Sequence, residues 1–116
     1  MPRRVNQAAR AAEAWGILTA QAVKGEPITY GQLAKIMGVH PRVCRFFLGL
    51  IQEYCMSASL PPLQSLVVNK TTGIPGEGYY ATPREANRVN ETHIKVFDFE
   101  WRKQNNPFCK IQRTEL

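Results

Sequence analysis

The sequence predicts one mainly α-helical domain with a small β element, arranged as a winged helix-turn-helix. Three observations support this prediction. Apolar residues recur at helical spacing near the N-terminus, two short helical segments flank a glycine turn over 29–54, and an aliphatic run followed by glycines spans 65–80. A chain of 116 residues fits one core, so residues 1–116 are expected to form a single domain.

The first helix is predicted over residues 5–23. Its apolar residues fall at steps of three and four and so form one stripe: Ala8, Ala11, Ala12, Trp15, Leu18 and Ala22. Trp15 is expected to anchor the core, and Gly25 and Pro27 are expected to end the helix.

The second helix is predicted over 30–37, where Thr29 is its N-cap. Its inward face is expected to contain Leu33, Ile36 and Met37. Gly38 permits the left-handed turn that closes this helix.

The third helix is predicted to begin at Pro41, which suits a first helical turn, and to end near Tyr54. Its spacing places a broad apolar face inward: Val43, Phe46, Phe47, Leu50 and Ile51. Arg42, Arg45 and Gly49 then point outward.

A short strand is predicted at 65–69, because "SLVVN" is aliphatic and the segment "KTTG" follows it. The glycine-rich stretch after it would return the chain as a small wing over 65–80. A C-terminal helix is predicted over 83–103, opened by the capping residues Thr82 and Glu85. Its core stripe would contain Ile94, Phe97 and Trp101.

The charge balance favours a polyanionic partner. Fifteen Lys and Arg stand against nine Asp and Glu, which gives a formal net charge of +6 and a pI near 9.6. Within 28–76 the basic residues are Lys35, Arg42, Arg45 and Lys70, opposed by Glu53, a local balance of +3. These side chains are expected either to contact DNA or to form a solvated face.

Several other classes of site are not expected. Cys44, Cys55 and Cys109 lack CxxC spacing, which argues against disulfides and zinc and suits a reducing cytoplasm. His40 is expected in a turn and His93 on a helix surface, too far apart in sequence to suggest a metal or catalytic centre. No catalytic residue, metal or cofactor is therefore expected, and the sequence indicates neither a targeting segment nor a membrane span.

The segments "ITYGQLAKIMGVHPRVCRFFLGLI" and "LPPLQSLVVNKTTGIPGEGY" together resemble the DNA-binding domain of alkylguanine-DNA alkyltransferases and alkyltransferase-like proteins. The resemblance spans roughly residues 10–80 and implies a winged helix-turn-helix. It implies that Tyr30 presses on the phosphate beside a target nucleotide and that Arg45 enters the base stack where that nucleotide has rotated out. For Tyr30, the alternative is a buried tyrosine beside the helix cap.

One departure from that family bears on activity. The family's alkyl acceptor lies in a Pro-Cys-His-Arg block, whereas this sequence has "PPLQSLVV" there, without Cys, His or Arg. Cys44 and Cys55 fall elsewhere and are expected to be small core residues. Alkyl transfer is therefore not expected.

The sequence thus predicts a non-enzymatic protein that binds double-stranded DNA and could sense modified or flipped bases. The expected DNA-contacting residues are Thr29, Tyr30, Gln32, Lys35, Arg42, Arg45 and Lys70, together with the backbone of 73–78. The alternative is a small phage or mobile-element module that binds a partner protein, which would require exposed apolar residues among Phe46, Phe47, Tyr79 and Tyr80.

Overall fold

The computed structural model describes residues 7–70 and 89–109, and these are mainly helical with a two-stranded parallel sheet. The elements in chain order are α1 (Gln7–Lys24), β1 (Ile28–Thr29), α2 (Tyr30–Met37), α3 (Cys44–Ser57), β2 (Val67–Val68) and α4 (Val89–Asp98). Short 3₁₀ turns precede α3 and β2, and two more follow α4. The prediction of a mainly α chain with a small β element is confirmed.

Helix α1 buries five of the six residues of its predicted stripe, whereas Ala8 is half-buried and Ala14, which was not predicted, is buried. Trp15 is 2% exposed, and the small residues Ala11, Ala14 and Ala22 let neighbouring elements approach the helix closely. Gly25 ends the helix with φ +78°, and its N–H bonds the carbonyl of Gln21.

Trp15 is the centre of an aromatic cluster that joins three parts of the chain. Its ring packs edge-to-face against three other rings. The centroid of the Trp15 ring lies 5.7 Å from that of Tyr54 in α3, 5.6 Å from that of Trp101 and 6.2 Å from that of Phe108. Such edge-to-face pairs contribute about 0.5–1.5 kcal/mol each beyond their buried area. The cluster therefore holds α1, α3 and the C-terminal turns together.

Helix α2 begins as predicted, with a complete capping box. The Oγ1 of Thr29 accepts from the Gln32 N–H at 3.1 Å, and the Thr29 N–H donates to Gln32 Oε1 at 2.9 Å. The helix ends at Gly38 with φ +71°, also as predicted.

The inward face of α2 differs from the prediction at Ile36, which is 59% exposed. Leu33 and Ala34 are buried, and Tyr30 and Met37 pack partly against the core. These four positions are related by steps of three and four, so they form one stripe, and Ile36 lies well outside it.

Helix α3 begins three residues later than predicted, because Pro41–Val43 form a 3₁₀ turn in which His40 Nδ1 accepts the Arg42 N–H at 3.1 Å. The prediction placed Phe46 and Leu50 inward, and both are wrong: they are 51% and 37% exposed. The buried stripe lies on the adjacent positions: Cys44, Phe47, Leu48, Ile51, Gln52 and Cys55.

The predicted strand is present as β2, but its partner was not predicted. Val67 pairs with Ile28 and Val68 pairs with Thr29, in parallel register. The residues predicted to return the chain in the wing, 71–80, lie outside the described residues.

The C-terminal helix ends earlier than predicted. Its described part, α4, ends at Asp98 rather than near 103, and the capping residues of 82–85 lie outside the described residues. After α4 the chain turns so that Trp101 enters the core, and its Nε1–H donates to the Val96 carbonyl at 2.7 Å. The bulky indole could not reach that carbonyl if the helix continued unbroken.

Two side chains of α4 also differ from the prediction. Ile94 is 56% exposed, and Val96 is fully buried in its place. His93 is buried rather than on the surface, with Nε2 lying 2.7 Å from the Ser65 carbonyl. Because a carbonyl only accepts, Nε2 of His93 carries the proton in this contact.

Among the described helices, none combines the length and the apolar character that crossing a membrane requires.

Gly38→Ala should lower the free energy of unfolding by about 1 kcal/mol, because an L-residue is strained at the left-handed φ of this position. A Cβ at Gly38 would meet no atom within 4 Å, so conformation rather than crowding sets the loss. Urea titration of both proteins measures it.

The matched control is Gly16→Ala inside α1, where an added Cβ also meets open space. That substitution should raise stability by about 0.5–1 kcal/mol, because alanine favours a helix interior. Equal effects of the two substitutions would contradict the assignment of Gly38 as a left-handed cap.

Candidate nucleic-acid interface

The first feature of the candidate site is a pair of exposed arginines at the start of α3. Arg42 lies in the 3₁₀ turn and Arg45 in the first turn of the helix, and both are exposed as their spacing predicted. Within the described parts of the chain, no carboxylate forms an ion pair with either guanidinium. Both charges therefore face solvent.

The exposed side of α3 carries more than these two charges. We define the α3 outer face as five residues of α3 and the turn before it that lie outside the buried stripe: Arg42, Arg45, Phe46, Gly49 and Leu50. A Cβ added at Gly49 would meet no atom within 4 Å, so packing inside the protein does not require glycine here. Its small size leaves the helix backbone open to close approach from outside.

Phe46 and the two arginines line one surface depression. The depression measures about 600 Å³, and Val43 completes its lining. The Arg45 guanidinium lies over the Phe46 ring, with its carbon 5.1 Å from the ring centroid. The site therefore combines positive charge with an exposed aromatic surface.

Thr29 and Gln32 are tied into the capping box, which fixes their orientation. The bonds of the box use the Thr29 hydroxyl oxygen and the Gln32 carbonyl oxygen as acceptors. The capping box does not use the Thr29 hydroxyl hydrogen or the Gln32 side-chain amide hydrogens. These are the donors that a phosphate oxygen would accept.

The parallel sheet places Tyr30 and Lys70 just beyond the carboxyl ends of its two strands. Tyr30 follows β1 directly and Lys70 comes two residues after β2, and the in-register pairing makes both strands end at the same place. Lys70 is exposed, whereas Tyr30 is half-buried and its ring packs against the core. The alternative prediction for Tyr30, a tyrosine packed beside the helix cap, therefore describes its ring position.

Lys35 lies apart from the arginines, at a depression between α1 and α2 of about 320 Å³. Gln32, Lys24 and Glu26 also line this depression, and Lys24 Nζ is 3.7 Å from the Glu26 carboxylate. Lys24 was not among the predicted residues. The charges of Lys24 and Glu26 offset each other in this depression, so Lys35 supplies its net positive charge.

The predicted inward face of α3 included Phe46, and only the partner-binding alternative named Phe46 as a surface residue, which is where it lies. The signal that could have found it is the spacing of Cys44, Phe47 and Ile51, which already fills one complete apolar stripe. Phe46 is one residue off that stripe, and its aromatic character alone favoured the core.

The segment "PPLQSLVV", in which no Cys, His or Arg occurs, contains a buried 3₁₀ turn over Leu63–Leu66. The Ser65 side chain is fully buried, and His93 bonds the Ser65 carbonyl rather than its hydroxyl. That arrangement does not place the imidazole as a base on the hydroxyl, which a serine nucleophile requires.

The thiols of α3 are small core residues, as predicted. Burial raises the pKa of Cys44 to about 11, against a smaller opposing effect of the Arg10 charge. Burial likewise raises the pKa of Cys55 to about 11, and a backbone hydrogen bond at Leu63 partly opposes it. Both thiols are therefore protonated and weakly nucleophilic at neutral pH.

In the ranges 7–70 and 89–109, no three His, Cys, Asp or Glu side chains come close enough to hold a metal ion. No family model, curated protein or solved structure matches the chain.

Cys44 and Cys55 should resist thiol reagents while the protein is folded. With a pKa of about 11, roughly one thiol in a hundred is ionised at pH 9, whereas most accessible thiols are ionised there. A Cys109→Ser variant, which retains only these two thiols, should react with Ellman's reagent at least about a hundredfold more slowly in buffer than in guanidinium chloride. Prompt labelling of either thiol in the folded protein would contradict the assignment.

Proposed function

We propose that this chain is a non-enzymatic, winged helix-turn-helix protein that binds double-stranded DNA, with an architecture like that of the alkyltransferase-like proteins. The observation that carries the proposal is the exposure of Arg42 and Arg45 on the α3 outer face, where neither forms an ion pair with an acid of the described residues. Guanidinium groups recognise phosphates and guanine edges through paired N–H donors.

The proposed contacts divide into two groups. Arg42 and Arg45 reach bases or the base stack from α3, and Gly49 lets the helix backbone approach the groove. Thr29, Tyr30, Gln32, Lys35 and Lys70 hold phosphates along the edge formed by β1, β2 and α2. Phosphate contacts fix the orientation, and contacts to bases supply any sequence or base preference.

The proposal includes no chemical step. The thiols on α3 are buried and have raised pKa values, and the loop in the acceptor position carries Gln64 and Ser65 instead of a cysteine. Binding is then reversible, which suits a protein that senses a modified or flipped base without repairing it.

A second candidate is a module that binds a partner protein. The exposure of Phe46 and Leu50 favours it, because adjacent apolar side chains on a helix surface are typical of protein interfaces. Phe47, another of the residues that this candidate named as possible surface residues, is fully buried. Tyr79 and Tyr80 lie outside the described residues.

Arg45→Ala should weaken binding to duplex DNA severalfold or more, because it removes the guanidinium proposed to reach the bases.

Lys35→Ala should mainly reduce the slope of log affinity against log salt, by about 1, because it removes one phosphate contact. Gel-shift or anisotropy titrations at several salt concentrations measure both effects.

Arg102→Ala is the matched control, since it removes the same charge from an exposed position beside Gly16 and Val23 of α1. It should change affinity far less than Arg45→Ala. An equal loss would assign binding to net charge alone, and no binding at low salt would favour the protein-partner candidate. Running the series on duplexes with and without an alkylated guanine tests the preference for a modified base.

Gly49→Ala should separate stability from binding. The new methyl group meets no protein atom, so the free energy of unfolding should rise by about 0.5–1 kcal/mol, while DNA affinity should fall because the methyl group lies where the duplex approaches. Gly16→Ala should give a similar gain in stability with unchanged affinity. Unchanged affinity in both variants would remove Gly49 from the interface.

A further inference from the structure

Phe46 exposes an aromatic ring on the surface of α3, outside the buried stripe of that helix. Half of its side chain is exposed, although the buried stripe of α3 passes directly beside it through Cys44 and Phe47. Leaving a large aromatic ring in water forgoes the stabilisation that burial would give. A ligand that covers the ring would recover that stabilisation.

The surroundings of the ring define the chemistry of that ligand. Arg42 and Arg45 line the same depression, and the Arg45 guanidinium already lies over the ring. The ligand must therefore offer a flat, apolar surface to Phe46 and negative charge to the arginines. A nucleobase with its own phosphates provides both groups within one nucleotide.

A regular duplex does not present such a surface, because each base face is covered by its neighbours in the stack. An unpaired base, or a base beside a gap, leaves a π-face open. Stacking of a base on a protein aromatic is also independent of sequence, because every base has a π-face.

We propose that Phe46 stacks on an unstacked base, so that the protein prefers duplexes that are interrupted over continuous ones. The inference rests on the proposed DNA-binding function and names the class of DNA that the α3 outer face selects. Arg42 and Arg45, which reach the bases of a continuous duplex, contact at an interruption the phosphates that flank the unstacked base, while that base covers the exposed part of the Phe46 ring.

The first test compares two probes: a continuous duplex and the same duplex lacking one internal nucleotide. The natural protein should bind the gapped duplex about tenfold more tightly, which is within the range measured for stacking of one base on an aromatic side chain. Phe46→Ala should lose that preference and retain most of its affinity for the continuous duplex. Ile94→Ala, which truncates an equally exposed apolar side chain on α4, should bind both probes as the natural protein does.

The second test is spectroscopic and uses Phe46→Trp. The sequence contains two tryptophans, Trp15 and Trp101, and both are 2% exposed, so a collisional quencher such as acrylamide reports mainly on the added indole. The gapped duplex should quench that indole's emission and shield it from acrylamide, and the continuous duplex should do so much less. Thermal melting of each variant verifies that it is folded.

The outcomes separate the two proposals. Equal affinity for both probes, combined with a loss of binding in Arg45→Ala, would overturn stacking by Phe46 and leave DNA binding in place. No binding to either probe at low salt would overturn both. Sedimentation showing a dimer that Phe46→Ala dissociates would assign the ring to contacts between copies of the chain and overturn the stacking proposal.

Discussion

The edge-to-face packing around Trp15 is the constraint on which the rest of the described structure depends. It joins α1 to Tyr54 of α3 and to the turns that carry Trp101 and Phe108. Once Tyr54 is held in this cluster, the helix can bury only one stripe, and Cys44, Phe47 and Ile51 occupy it. The α3 outer face is what this packing leaves exposed. Its composition of arginines, a phenylalanine and a glycine is therefore free to serve a ligand rather than the core.

Hydrogen bonds of the backbone and of a helix cap set the positions of the residues proposed to hold phosphates at the start of α2 and after β2. The capping box fixes where α2 begins, and the pairing of Ile28 with Val67 fixes where the chain leaves β2. Neither device needs a large core, since one uses residues three apart and the other uses a two-residue ladder. Together they direct the start of α2 and Lys70 toward one edge. The arginines depend on packing for their position, whereas these residues depend on hydrogen bonds.

The sequence predicted the features that arise within a few residues of one another. The N-cap at Thr29, the left-handed Gly38 and the stripe of α1 all follow from local spacing and backbone preference.

The predictions from sequence failed where the structure depends on contacts between distant parts of the chain. The partner of β2, the burial of His93 against Ser65 and the packing of Trp101 against Trp15 each require a neighbour far away in sequence. Phe46 and Ile36 were misplaced because apolar character does not say which of two adjacent stripes the core will take. The outward positions of Arg42 and Arg45 followed from helical spacing, but no pattern indicated the aromatic ring between them and the core.

Contacts between α1 and the turns after α4 affect the order in which the core can form. Asn106 donates to the Ala12 carbonyl at 2.8 Å, across a separation of 94 residues, and Phe108 completes the ring contacts of Trp15 beside it. During translation, α1 is made before Asn106 and Phe108, so these contacts form only after both segments have left the ribosome. The packing that fixes Trp15 is therefore completed late in the folding of this part of the chain.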